Sequence, residues 1–236
     1  MADETLLDRV RRLREQGGSP KQIAKQLGIR PADATALVRR LATQQTSDDP
    51  ADRALLGCWI NQSWSVGLGM DQAPVTWAAL DPLGKDASSS SGFANILLVR
   101  QDRASRVAAC GYLVDVYCLG IKNSVGPVGM SLGKVDDFVR DYYSAYDEPP
   151  VSIPIEVAQA LVHGGAAYAK ELGFEPHADF AAAAPYLGVP DEPSPIRFGR
   201  DGKPFYISGP YDNPRDVIAT LEANVGTGNY NIMTHV

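Results

Sequence analysis

Residues Ile96–Asn123, ILLVRQDRASRVAACGYLVDVYCLGIKN, decide how the rest of the chain is read. The first arm, Ile96–Arg100, is a nearly continuous run of leucine and β-branched residues. The second, Val107–Ile121, alternates over part of its length, with Tyr112, Val114, Val116 and Cys118 on one face and Leu113, Asp115, Tyr117 and Leu119 on the other. The polar segment Gln101–Arg106 between them contains no proline, so the arms are expected to pair as a hairpin. Apolarity on both faces predicts a central strand covered on both sides, with Asp115 in its middle. A carboxylate in such a place needs hydrogen bonds or a cation, and Lys122 at the strand's end is the expected partner.

Working outward, LLGCWINQSW after Ala54 reads as a further strand, and Asp81–Gly92, with four consecutive serines, as a solvated loop. Beyond the hairpin lies a glycine-rich stretch, Gly126–Gly133, then a helix over about Val135–Tyr146. Pro149-Pro150 interrupts the chain before the strongest helical pattern, Pro154–Leu172, whose stripe Ala158, Leu161, Gly165, Tyr168, Leu172 steps at helical spacing. Gly164-Gly165 in its middle predicts close approach of another backbone. A shorter helix, about Ala178–Leu187, precedes a hairpin over Ile196–Ile207 with Asp201-Gly202 at its turn. A last helix, Pro214–Val225, capped from Asp212 or Asn213, is followed by a final strand in Tyr230–Val236. Strands and helices do not alternate regularly, so the expected class is α+β: a small all-α head plus a larger body built on a mainly antiparallel sheet.

The chain has 236 residues, 44% hydrophobic and 21% charged, ample for more than one core. No apolar run approaches the ~20 residues of a membrane span. Three cysteines without a CxxC spacing, and an acidic, amphipathic start, lead to the expectation of a reduced, cytoplasmic protein. The net charge of −6 is unevenly spread. Residues 1–45 hold nine basic against five acidic side chains, a net of +4, which leaves −10 for the remainder. The polar, acidic stretch Thr43–Arg53 then separates a head, residues 1–45, from a body, residues 54–236, with residues 46–53 as linker.

Within the head, a helix over Thr5–Glu15 with the stripe Leu6, Val10, Leu13 ends at Gly17-Gly18. Ser19 caps a second helix whose first residue is Pro20 and which stops at Gly28. A third helix runs from Pro31 to about Ala42, with Ala34, Leu37, Val38 and Leu41 inward. The spacing S-x-x-x-I-A-x-x-L-G-I, carried by Ser19, Ile23, Ala24, Leu27, Gly28 and Ile29, resembles the helix-turn-helix of resolvases, MarR proteins and sigma factors. That resemblance covers about residues 5–44. It implies that the third helix enters the major groove of double-stranded DNA, with Lys25, Arg30, Thr35, Arg39 and Arg40 as contacts. The opening of that helix, Arg30–Thr35, carries few side chains of the kind that read base edges, so a three-helix packing or dimerisation module stands beside the DNA reading. Three stretches of the body, LVDVYCLGIKN, LGFEPHADF and FGRDGKPFYISGPYD, resemble uncharacterised bacterial proteins linked to such a head. The implied role is transcriptional regulation, with a body that dimerises or senses a ligand.

The candidates for chemistry are few. Asp115 reads as a ligand, base or metal anchor, or as a structural carboxylate bonding loop N–H groups. His177 and Asp179 share one loop, where they read as a metal or phosphate site with Asp115, His163 being a further candidate, or Asp179 caps the next helix and His177 packs against it. Together Asp115, His177 and Asp179 define an alternative, a hydrolase or nuclease; a protein-interaction module is another. No HExxH, HxH or CxxC spacing points to a metal or other cofactor. Cys58 and Cys118 lie in apolar runs, where a thiol is ordinarily inert.

Overall fold

The computed structural model describes residues 6–45, 49–70, 77, 79–82, 84, 91–103 and 105–234. Helices α1 (Leu6–Glu15), α2 (Pro20–Leu27) and α3 (Pro31–Gln45) pack together around Val10, Ile23, Ala24 and Ala34. The Ser19 side chain accepts from the Gln22 N–H, and Gln22 Oε1 accepts from the Ser19 N–H at 2.8 Å, a reciprocal cap that starts α2. Gly28 ends α2 at φ 66°. The stripe of α1 is rotated from the expected one: Leu6 is 43% exposed and Leu7 packs inward. Both flank Val10 on the helix surface, and the Leu7 side is the one that faces α2 and α3. The side chain of Leu41 lies outside the described residues.

A 3-10 turn at Pro50–Asp52, capped by the Asp49 side chain, leads into the body. The buried Arg100 fastens this entry, donating from Nη1 to the Arg53 carbonyl (2.7 Å) and from Nε to the Tyr186 carbonyl (2.6 Å). Arg53 in turn pairs with Asp102 at 3.0 Å. Of the segment read as linker, residues 49–53 therefore lie on the body, and residues 46–48 are outside the described residues.

The sheet has the order β4-β3-β2-β1-β5, every pair antiparallel, from β1 (Leu55–Ile60), β2 (Phe93–Arg103), β3 (Arg106–Asp115), β4 (Gly120–Ser131) and the short β5 (Val151–Ser152). The fold is α+β. β2 lies in the middle, and β3, which carries the first part of the arm expected to be central, is interior beside it, between β2 and β4. Ile96, Leu98, Tyr112 and Val114 face one layer, formed by α5 (Ile155–Glu171) and α6 (Phe180–Leu187). Leu97, Val99, Val107 and Ala109 face the other, formed by α4 (Val135–Tyr142) with Tyr143 and Tyr146.

Several expectations need correction. Val107–Ile121 is two strands rather than one. β3 stops at Asp115, residues 116–119 turn, and β4 returns from Gly120. Asp115 makes the turn, its Oδ1 accepting from the N–H groups of Tyr117 (2.9 Å) and Cys118 (3.0 Å). The glycine-rich stretch from Gly126 is strand to Ser131, its glycines accommodating neighbours. A Cβ on Gly126 would stand 2.5 Å from the Ala109 carbonyl oxygen. α4 ends at Tyr142, and Tyr143–Ala145 form a turn.

Asp201 (φ 55°) and Gly202 (φ 77°) do make the expected turn, but only Arg200 and Lys203 bridge across it. One arm bridges Gly69 through Arg197; the other, β6 (Phe205–Ile207), pairs in parallel with β7 (Asn231–Met233). α7 (Pro214–Asn224), capped by Asn213, connects β6 to β7. In the segment Asp81–Gly92, residues 83 and 85–90 lie outside the described residues, but Asp81 itself is buried.

α5 crosses the sheet at its paired glycines, as its pattern anticipates. A Cβ on Gly165 would lie 2.7 Å from Val114 Cγ1, and one on Gly120 would lie 2.8 Å from the Gly165 carbonyl oxygen. Gly164 meets Ser194 and Phe198 in the same way.

Candidate functional site

Two places on the molecule are candidate sites. The first is the head. Lys25 is exposed in the last turn of α2, and Arg39 is exposed on α3. Arg40 lies on α3, but its side chain is outside the described residues. Arg30 does not stand alone: its Nε and Nη2 donate to the two Asp33 oxygens at 2.7 and 2.9 Å. This bidentate pair raises the pKa of Arg30 and lowers that of Asp33, in each case first through the hydrogen bond. The opening of α3 is thereby nearly neutral. The Thr35 hydroxyl donates to the Pro31 carbonyl, one turn back along the same helix.

The second place is a cleft of about 970 Å³ on the α4 side of the sheet. Eight residues of α4 make a helix about 12 Å long, whereas strands of ten to twelve residues extend about 33 Å or more. The helix covers Leu97, Val99, Val107 and Ala109, and leaves the sheet bare at its other end. Phe93, Leu113, Lys122 and Asn123 floor the cleft there. One wall is Ala145–Glu148, the segment after α4; the other is Gly209–Asp212, the segment before α7. Gln62, Ser63 and His177 complete it.

Each wall is held by identifiable bonds. Lys122 Nζ lies 2.7 Å from Asp212 Oδ2, with both side chains largely buried, and the Gly209 N–H donates to the same oxygen at 2.8 Å. A Cβ at Gly209 would reach within 3.0 Å of Lys122 Nζ, so the ion pair favours glycine there. The Lys122 ammonium also lies 5.8 Å from the centre of the Phe93 ring. Asp81 accepts from the N–H groups of Ser63 and Ser65 and from the Ser65 hydroxyl, fixing the turn that carries Ser63, at φ 65°, to the cleft. Gln62 Nε2 donates to the Pro149 carbonyl, tying that turn to the segment after Glu148. Tyr142 donates from its hydroxyl to Asn95 Oδ1 at the border between α4 and the open floor.

The residues singled out from the sequence do not assemble into one catalytic group. His177 lines the cleft, and its Nδ1 lies 3.7 Å from Asp179 Oδ2. Asp179 is largely exposed, precedes α6 without a side-chain cap, and is not among the lining residues. Asp115 is 2% exposed, and its Oδ1 is engaged by the turn. Burial raises its pKa to about 6, against the lowering effect of the Tyr117 and Cys118 N–H bonds and of the Lys122 charge. Lys122 acts on it only at a distance, because its ammonium is on Asp212. His163 lies on α5, in the layer on the opposite face of the sheet, with Nε2 2.8 Å from the Gly188 carbonyl. Burial drives the thiols of Cys58 and Cys110 up to about 12 and that of Cys118 upward as well, so none is a ready nucleophile. Among the described residues no group of three His, Cys, Asp or Glu side chains is placed to hold a metal ion. No described helix is long and apolar enough to cross a membrane.

The three body stretches quoted from the sequence do converge on the cleft. LVDVYCLGIKN supplies Leu113, Lys122 and Asn123; LGFEPHADF supplies His177; FGRDGKPFYISGPYD supplies Gly209–Asp212. Asp212 read from sequence only as a candidate helix cap, and Asp81 only as the start of a solvated loop, because Lys122 and Ser63, which engage them, lie 90 and 18 residues away. Compared with protein-family models, curated proteins and solved structures, the chain matches none.

Proposed function

We propose that the chain is a DNA-binding protein, a transcriptional regulator whose three-helix head meets duplex DNA while the α+β body dimerises or senses a ligand. The observation that carries this reading is the geometry of α2 and α3: a capped α2, a left-handed Gly28, and a third helix with exposed polar and basic residues on its outer side. The basic balance of residues 1–45 against an acidic remainder supports it. Because Asp33 holds the Arg30 guanidinium, affinity rests on phosphate contacts from Lys25, Arg39 and Arg40 more than on bases read by the opening of α3.

The test is fluorescence anisotropy of the full chain on a labelled duplex of about 30 base pairs, titrated at several salt concentrations. Each neutralised phosphate contributes a slope of about −0.9 in log K against log salt. The variant Lys25→Ala/Arg39→Ala should therefore bind more weakly, with a slope shallower by about two contacts. Equal binding by both proteins at every salt concentration, or no binding by either, ends the reading.

A further inference from the structure

We propose that the cleft binds a small organic cation, an ammonium carried on an aromatic or apolar body. Its volume of about 970 Å³ suits a ligand of that size. The one lysine that lines it is already neutralised, because Lys122 is spent on Asp212 and packed over Phe93. What remains charged at the rim is acidic. Asp147 and Glu148 are exposed side by side, and among the described residues neither has a cationic partner. Across from them Tyr211 exposes 98% of its surface, an aromatic ring that the chain leaves uncovered at the mouth of a cavity. Phe93 and Leu113 offer an apolar floor between the walls.

Those features select by charge and shape. An anion would meet two carboxylates at the rim, and the one lysine among the described lining residues, Lys122, is already held by Asp212. An apolar neutral molecule would gain the floor and the Tyr211 ring but nothing from the two carboxylates. An ammonium gains the carboxylates, the Tyr211 ring face and, for its carrier, the floor. The proposal stands on the body alone and does not depend on the head binding DNA.

Ligand-observed NMR on the full chain tests it with two probes of matched shape, phenethylammonium and phenylacetate. Phenethylammonium should bind saturably and about tenfold more tightly, the combined effect of exposed ion pairing and a cation over an aromatic ring. In Asp147→Asn/Glu148→Gln that preference should fall to about twofold, and Tyr211→Ala should weaken the ammonium several-fold while leaving the thermal melt unchanged. All three positions are exposed, so the variants fold. Equal or tighter binding of phenylacetate, unchanged affinity in the variants, or no saturable binding of phenethylammonium up to about 10 mM would overturn the assignment.

Discussion

Replacing Asp115 with asparagine isolates a single buried charge. In the folded chain its carboxyl has a pKa of about 6, raised chiefly by burial, against about 3.9 in an unfolded chain. Between those values the folded state binds the extra proton, so stability falls as pH rises from the lower to the higher and is level above it. A difference of about two units corresponds to about 3 kcal/mol. Asp115→Asn keeps an oxygen to accept from the Tyr117 and Cys118 N–H groups but carries no charge at any pH. Urea melts of both proteins across about pH 4 to 7 should show the native chain losing about 2–3 kcal/mol relative to the asparagine variant, whatever their offset at the acid end. Every other carboxylate is common to both and cancels in the difference. Asp115→Ala removes the acceptor from both buried N–H groups and should cost about 1–3 kcal/mol for each. A stability difference flat with pH, or one in which the native chain gains as pH rises, would refute the reasoning. The second outcome would mean that a cation, rather than burial, governs this carboxylate.

Gly165→Ala should destabilise by about 1–2 kcal/mol in a denaturant melt: the 2.7 Å approach to Val114 Cγ1 is a buried, stiff contact whose overpacking outweighs the ~1 kcal/mol of helix propensity gained. An increase in stability would remove this face of α5 from the sheet. Ser19→Ala should cost about 0.5–2 kcal/mol and speed hydrogen exchange of the α2 amides while leaving the body's amides as they were. Unchanged exchange in α2 would show that the cap does not hold the helix.

The parts of the fold that could be read from sequence are those fixed by local chemistry. Ser19, Pro20 and Gly28 mark α2 because caps and left-handed turns are decided within a few residues. Asp201-Gly202 marks its turn for the same reason, yet the arms leave for Gly69 and β7, choices made by partners far along the chain. The end of β3 was hidden because Asp115 sits in an unbroken apolar run, and only its bonds to Tyr117 and Cys118 show that it reverses the chain. β4 was hidden differently. Its glycines lower strand propensity, and they are required by neighbours such as the Ala109 carbonyl, which no local pattern contains. At the cleft, Lys122 was visible as a charge near Asp115, but its partner, Asp212, lies 90 residues away. Asp81 opened a segment read as a solvated loop, and the Ser63 and Ser65 N–H groups that make it structural lie 18 and 16 residues away.

The anchoring of the body's entry by Arg100 sets a short leash. α3 ends at Gln45, and Asp49 already caps the turn whose following residue, Arg53, is fastened by Arg100. Four peptide links join Gln45 to Asp49, and fully extended they reach at most about 14 Å. The C-terminal end of α3 is therefore kept within roughly one helix diameter and a half of the body's first anchored residue, and its opening, at the far end of the 15-residue helix, within about 22 Å more. In a pair of such chains the two attachment points would be set by how the bodies meet, and each tether adds at most about 14 Å of reach to the spacing of the heads.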